Sequence, residues 1–218
     1  MSVAQKAVDY VPLSNYNDFE AFCSGTISKG YDTDVLDSLS DMVRTFIKEK
    51  ALSMPRQKGE SQKRALGVPE LDDYGVMGEL TRKLVRKLLD QPRHTVCTSG
   101  LRIDKPDPEN GQGEMLIGPD LAGQMFLGST AMFDIVLLGR TRSVLKDPRD
   151  AKSRYTERYW LTEPSGGFLA KNRLSVAQDG GSFLPAELIY DLKTGSGTFN
   201  DILNRAVKAY EDCLEVKK

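Results

Sequence analysis

The sequence predicts an α+β fold: a helical N-terminal half, an antiparallel β-meander in the second half, and a C-terminal amphipathic helix. Three observations predict it. Apolar residues recur at spacings of three and four through residues 35–47 and 77–89. After His94, short β-branched and aromatic runs alternate with turn clusters. The helical spacing then returns beyond Thr198.

The first helix is expected from Asp34, with Val35/Leu36, Leu39, Met42/Val43 and Phe46/Ile47 forming one stripe. Asp32, Thr33 and Asp34 offer caps and negative charge at its start, and Lys48 and Lys50 suit its end. Pro55 stops it. Residues 53–71 are polar, with two prolines and two glycines, and read as a candidate mobile connector. A second helix begins near Asp72/Asp73, carries Met77, Leu80, Leu84, Val85, Leu88 and Leu89, and ends at Pro92.

Strand-like runs follow at Thr95–Ile103, Glu114–Ile117, Ala131–Leu138, Tyr155–Leu161, Phe168–Ala177 and Leu184–Leu192. Breaks fall at residues 106–113, at Glu163–Gly167 and at Asp179–Gly181; the last two are short and glycine-rich, as antiparallel hairpins require. The final helix, about Thr198 to Val216, places Ile202/Leu203, Ala206/Val207, Tyr210 and Leu214 on one side. A single domain over 1–218 is expected, with a mainly helical part at 1–92 and the meander and last helix at 93–218.

With 218 residues, 39% apolar and 28% charged, the chain can bury a core without disulfides or metals. No apolar run approaches the roughly 18 residues of a membrane span, and Met1–Asp9 lacks the pattern of a secretory signal. An intracellular, cytoplasmic protein is expected. Cys23, Cys97 and Cys213 are odd in number and widely spaced, which predicts reduced thiols. His94 is the only histidine, so a histidine-rich zinc site is excluded; a Cys-His dyad with Cys23 or Cys97 has no local nucleophile signature. Neither G-x-x-x-x-G-K-[ST] nor G-x-G-x-x-G occurs, and nucleotide-dependent chemistry of the familiar kinds is not expected.

Charge is segregated beneath a formal net charge of −1. Residues 9–43 sum to −6, 44–64 to +5, 65–81 to −4, 82–94 to +4, and 140–158 to +4. Blocks of one sign create local potentials that reach about 8 Å at physiological salt. In the last block, strand alternation puts Arg154, Arg158 and Trp160 on one face and Tyr155 and Tyr159 on the other. Cations beside an aromatic ring suit single-stranded nucleic acid. The expected nucleic-acid contacts are therefore Arg140, Arg142, Lys146, Arg149, Lys152, Arg154, Arg158 and Trp160.

One constellation has catalytic character. Glu187-Leu-Ile-Tyr-Asp191-Leu-Lys193-Thr-Gly195 ends a strand and precedes a helix. It resembles the D/E-x-K core of the PD-(D/E)xK nuclease superfamily. That resemblance implies a Mg²⁺-dependent site in which Asp191 and a second acid hold the metal and Lys193 stabilises charge. Asp134 is the better second acid; Asp179 sits in a turn too many residues from Asp191. The same tail can be aligned with RNA-binding CRISPR repeat-associated proteins and with rhabdovirus matrix proteins, so it assigns no family.

The expectation is a non-enzymatic structural subunit of a multi-copy assembly, nucleocapsid-, matrix- or ribonucleoprotein-like, self-associating through its charge patches and contacting RNA or single-stranded DNA. It calls for no cofactor. The alternative is a metal-dependent nuclease using Asp134, Asp191 and Lys193 with Mg²⁺.

Overall fold

The computed structural model describes residues 9–55, 67–105, 115–121, 123–173 and 183–215. Of the expected features, most of the 53–71 connector, the 106–113 break, the Asp179–Gly181 turn and the end of the Phe168–Ala177 run lie outside them. Helices and mostly antiparallel strands are mixed, and a C-terminal helix closes the chain: the protein is α+β. Its contacts form two units, Met1–Gly100 with Leu121–Met125, and Leu101–Asp120 with Phe126–Lys218.

The first unit opens with helix α1, Tyr16–Cys23. Asn15 caps it, its side-chain oxygen accepting the amides of Asn17 (2.8 Å) and Asp18 (3.1 Å). Strand β1, Thr33–Leu36, follows. This segment was expected to begin a helix. It instead pairs in parallel with β2, His94–Cys97, from Thr33↔His94 to Leu36↔Cys97. Helical spacing and strand alternation coincide here: Asp34 and Leu36 are buried while Val35 is 60% exposed, an alternation of period two.

The helix proper starts after Ser38 and runs as α2 (Leu39–Met42), a π-helical turn (Val43–Ile47) and α3 (Lys48–Ser53). The expected stripe is its buried face: Leu39, Val43, Phe46, Ile47 and Ala51. Helix α4, Leu71–Leu89, buries Met77, Thr81, Leu84, Val85 and Leu88. Asp73 closes its first turn by accepting the Glu70 amide at 3.0 Å. Helices α1 and α3 and the π-helical turn pack on α4.

In the second unit, β3 (Leu101–Asp104) pairs antiparallel with β4 (Leu116–Pro119). Helix α5, Met125–Met132, was not anticipated; its apolar run reads equally as a buried strand. Strand β5 (Ile135–Val136) pairs antiparallel with β8 (Lys171–Asn172). Strands β6 (Leu138–Leu145), β7 (Arg154–Leu161) and β9 (Glu187–Ile189) form an antiparallel sheet in the order β6-β7-β9. Helix α6, Phe199–Glu215, ends the described chain.

Two clusters bury opposite faces of one end of this sheet. Tyr159, Leu161 and Ala170 gather Leu138 and Phe168 on one side. Leu184, Leu188 and Ile202 gather Ile135, Leu137 and Trp160 on the other. Toward Leu145 and Arg154 the sheet is largely open to solvent. Between β7 and β8, Gly167 has a φ of 82°, and a Cβ there would overlap the Met115 carbonyl.

Among the described residues, no helix is long and apolar enough to cross a membrane.

Candidate functional site

Because β1 and β2 run parallel and in register, their carboxyl ends lie side by side, and the chain leaves them at Asp37 and Thr98. The Thr98 amide donates to the Leu36 carbonyl (3.0 Å), and the Leu39 amide donates to the Thr98 carbonyl (2.9 Å). These bonds carry the ladder one step past the strands and into the start of α2. At that edge the Thr98 hydroxyl donates to one carboxylate oxygen of Asp37. The other oxygen accepts no hydrogen bond among the described residues, and Asp37 is exposed.

The segments that follow the two strands carry further hydroxyls, each bonded elsewhere. Ser38 caps α2: its Oγ accepts the Asp41 amide at 3.3 Å and donates to the Asp41 carboxylate at 2.7 Å. Ser40 Oγ lies 2.8 Å from Ser99 Oγ and accepts the Gly100 amide at 2.9 Å.

Beneath the edge, a buried ionic group fixes β1. Asp34, with 3% side-chain exposure, lies 3.5 Å from Arg93, which is 11% exposed. The Ser28 hydroxyl donates to Asp34 at 3.1 Å, and Arg93 donates to the Ser28 carbonyl. An aspartate is stable in so dry a place only because a guanidinium and a hydroxyl meet it.

A Cys-His dyad is not assembled. His94 opens β2, exposed, while Cys97 ends the same strand three residues on, pointing to the other face. Burial pushes the Cys23 and Cys97 thiols up to about 12, the reverse of what a nucleophile requires.

The residues of the nuclease expectation each make local contacts of their own. Asp134 precedes β5, and Asp191 follows β9, strands of different sheets rather than neighbours in one. Asp134 lies 3.6 Å from Arg173, and its carbonyl accepts the Arg173 amide at 2.9 Å. Asp191 turns into its own loop, accepting the Lys193 amide (2.9 Å) and the Thr194 hydroxyl (3.1 Å). The Lys193 amide is the chief reason its carboxyl is held below the usual range. Lys193 itself is exposed. Among the described residues, no group of three His, Cys, Asp or Glu side chains forms a metal cluster.

The basic block at 140–158 divides by strand face. Arg142 is spent internally: it bonds Glu157 at 2.6 Å and Glu187 at 2.5 Å, and its guanidinium lies 4.6 Å from the Tyr159 ring centre. Arg140 stacks 4.4 Å from the Phe168 ring centre. Lys146, Arg149, Lys152, Arg154 and Arg158 form no ion pair among the described residues, and all five are exposed.

Trp160 is not an exposed stacking platform. It is half-buried in the Leu184–Leu188–Ile202 cluster, donates its indole N–H to the Gly197 carbonyl at 2.9 Å, and meets Tyr190 edge-on at 5.9 Å. It shares the expected face with Arg158 but not the exposure expected of a nucleic-acid contact.

Opposite charge blocks also meet inside the chain. Lys87 of the 82–94 block bonds Glu20 of the 9–43 block at 2.8 Å, and Arg93 and Asp34 join the same two blocks.

The β1–β2 pair thus sets an acid and the Thr98 hydroxyl at its carboxyl ends, followed at once by a capped helix. Residues 2–174 match the family model described as an AAA domain. The chain belongs to that family. No curated protein and no solved structure matches it.

Membership corrects the functional expectation. An AAA domain points to nucleotide binding of the NTPase type, not to a nucleocapsid-, matrix- or ribonucleoprotein-like structural subunit, nor to a PD-(D/E)xK nuclease. It also corrects the expectation drawn from the missing phosphate-loop motifs, which are one part of such a site and not the whole of it. Asp37, Ser38 and Thr98, which the structure gathers at this strand end, were not among the expected site residues. The signal was present: two apolar residues, an acid and a helix-capping serine, in Val35-Leu36-Asp37-Ser38.

Proposed function

We propose that this chain contributes the acid-bearing edge of a nucleoside triphosphate site, with Asp37 facing a phosphate-bound Mg²⁺. The observation that carries the reading is the parallel pairing of β1 and β2, which sets Asp37 and Thr98 together at the strands' carboxyl ends. In NTPases of this type an acid of such a strand helps hold Mg²⁺ against the β- and γ-phosphates.

The residues present fit that role. Mg²⁺ keeps several waters and is commonly held through one or two carboxylates plus substrate phosphates rather than by a protein cage. A single exposed carboxylate, oriented by the Thr98 hydroxyl and with one oxygen accepting no hydrogen bond among the described residues, is such a donor. When bound, the metal neutralises charge on the phosphates. Asp37 supplies the carboxylate, and Thr98 fixes its rotamer.

The phosphate cradle is a separate part. These 218 residues contain no G-x-x-x-x-G-K-[ST], and a second copy of them brings none. On this reading the chain works in the cytoplasm, where Cys23 and Cys97, both free, stay reduced.

Titration of a fluorescent ATP analogue with and without Mg²⁺ tests the proposal. Metal should strengthen binding to the wild-type chain and have little effect on Asp37→Asn. Metal-independent binding, or an Asp37→Asn variant that responds to Mg²⁺ as the wild type does, would refute it.

A further inference from the structure

One face of the β6–β7 hairpin carries cations and hydroxyls with no acid among them. Strand pairing sets Thr141 opposite Arg158, Ser143 opposite Thr156, and Leu145 opposite Arg154. Alternation puts all six on one face, and all but the half-buried Leu145 are exposed. The acids of this sheet, Glu157 and Glu187, lie on the opposite face, where both are held by Arg142. The segregation is produced by register: a slip of one residue would bring Glu157 among these arginines.

The hairpin loop extends the pattern. Its two aspartates, both exposed, bond the loop backbone, Asp147 accepting the Arg149 amide at 2.9 Å and Asp150 the Lys152 amide at 2.8 Å. Their charges are thereby tied to loop backbone, while the Arg149 and Lys152 side chains remain exposed. Arg154 and Arg158 stand four residues apart, about 13 Å along the strand. The strip is one hairpin wide.

We propose that this face binds the phosphate backbone of a single-stranded nucleic acid. Arginines supply forked donors to phosphate oxygens, and Thr141, Ser143 and Thr156 supply neutral donors between them. A membrane surface is the other polyanion such a patch could meet, but insertion needs exposed apolar side chains. The loop, Asp147-Pro-Arg-Asp-Ala-Lys-Ser153, carries no large apolar side chain. The proposal does not rest on the nucleotide-site reading, and its assay contains neither nucleotide nor metal.

The test is fluorescence anisotropy of a labelled oligothymidylate against the full chain over a salt series. Each phosphate contact contributes about −0.7 to the slope of log K against log salt for single strands. The expected slope is therefore steep, and Arg154→Ala/Arg158→Ala should lower its magnitude by about 1.4 and weaken binding at low salt. Arg154→Lys/Arg158→Lys should keep the slope. Arg140→Gln, on the other face, should leave it unchanged, and so should Asp37→Asn. Circular dichroism verifies that each variant is folded.

Absence of binding at about 50 mM salt would overturn the proposal, since phosphate contacts are strongest at low ionic strength. A double alanine variant with the wild-type slope would do the same. So would binding to phosphatidylserine vesicles that requires Arg154 and Arg158 when oligonucleotide binding does not.

Discussion

Replacing Asp34 by alanine isolates the force that holds β1 in place. Asp34 is almost fully buried and meets the Arg93 guanidinium at 3.5 Å and the Ser28 hydroxyl at 3.1 Å. Removing the carboxylate leaves a nearly buried cation whose remaining acceptor in this group is the Ser28 carbonyl. Among the described residues Arg93 Nε already has no hydrogen-bond partner. Breaking one side of a buried ion pair costs about 3–5 kcal/mol. The lower end applies here, about 3 kcal/mol, because Arg93 keeps one carbonyl and retains some access to water.

Urea denaturation followed by far-ultraviolet circular dichroism reads the change through α1, α2, α3 and α4. With an m value of about 1.5 kcal/mol/M, the midpoint should fall by about 2 M. The double variant Asp34→Leu/Arg93→Met removes both charges and should recover most of the loss, since well-packed apolar pairs replace buried ion pairs at little cost. A single variant that loses less than about 1 kcal/mol, the range of exposed pairs, would refute the reasoning. So would a double variant no more stable than the single one.

Two further outcomes follow from burial. Trp160→Phe deprives the Gly197 carbonyl of its indole donor and should cost about 1–3 kcal/mol, measured by thermal denaturation with a circular dichroism readout. Cys23 and Cys97 should resist a thiol reagent at pH 8 until the chain unfolds, because burial raises both thiols to about 12 from 9.0. With the folded values raised, this stabilisation is complete below pH 9 and is lost as pH climbs from 9 toward 12, so a urea midpoint that stays level over that range would contradict it.

Periodicity made α4 and α6 readable, because Met77, Leu84, Val85 and Leu88 satisfy only a helical spacing, and Pro92 ends the pattern. The segment at β1 was not readable in the same way. Val35, Leu36, Leu39 and Val43 obey helical spacing, yet tertiary pairing with His94–Cys97 makes the first two part of a strand. That misreading concealed the strand end: as part of a helix, Asp37 is one acid in a negative run, whereas here it follows a strand's carboxyl end beside Thr98.

The β6 strand was hidden for another reason. Gly139-Arg-Thr-Arg-Ser143 has no apolar alternation, so its pairing with β7 registers only as charge. Family membership was out of reach from motifs because the glycine-rich loop that announces nucleotide binding is not in these residues.

Lys171 shows how fully one side chain can be committed. Its ammonium donates to the carbonyls of Thr130 (3.0 Å), Ala131 (3.2 Å) and Phe133 (2.8 Å), a tripod that fastens β8 to the tail of α5. Loss of hydration there lowers its affinity for a proton, with the neighbouring Arg173 adding to the effect. A flat guanidinium has no such tripod of donors, and an acylated amine has neither the charge nor the hydrogens. The usual interchange of the two basic residues would therefore unfasten this joint, and lysine-directed reagents would have to pry it open before they could label it.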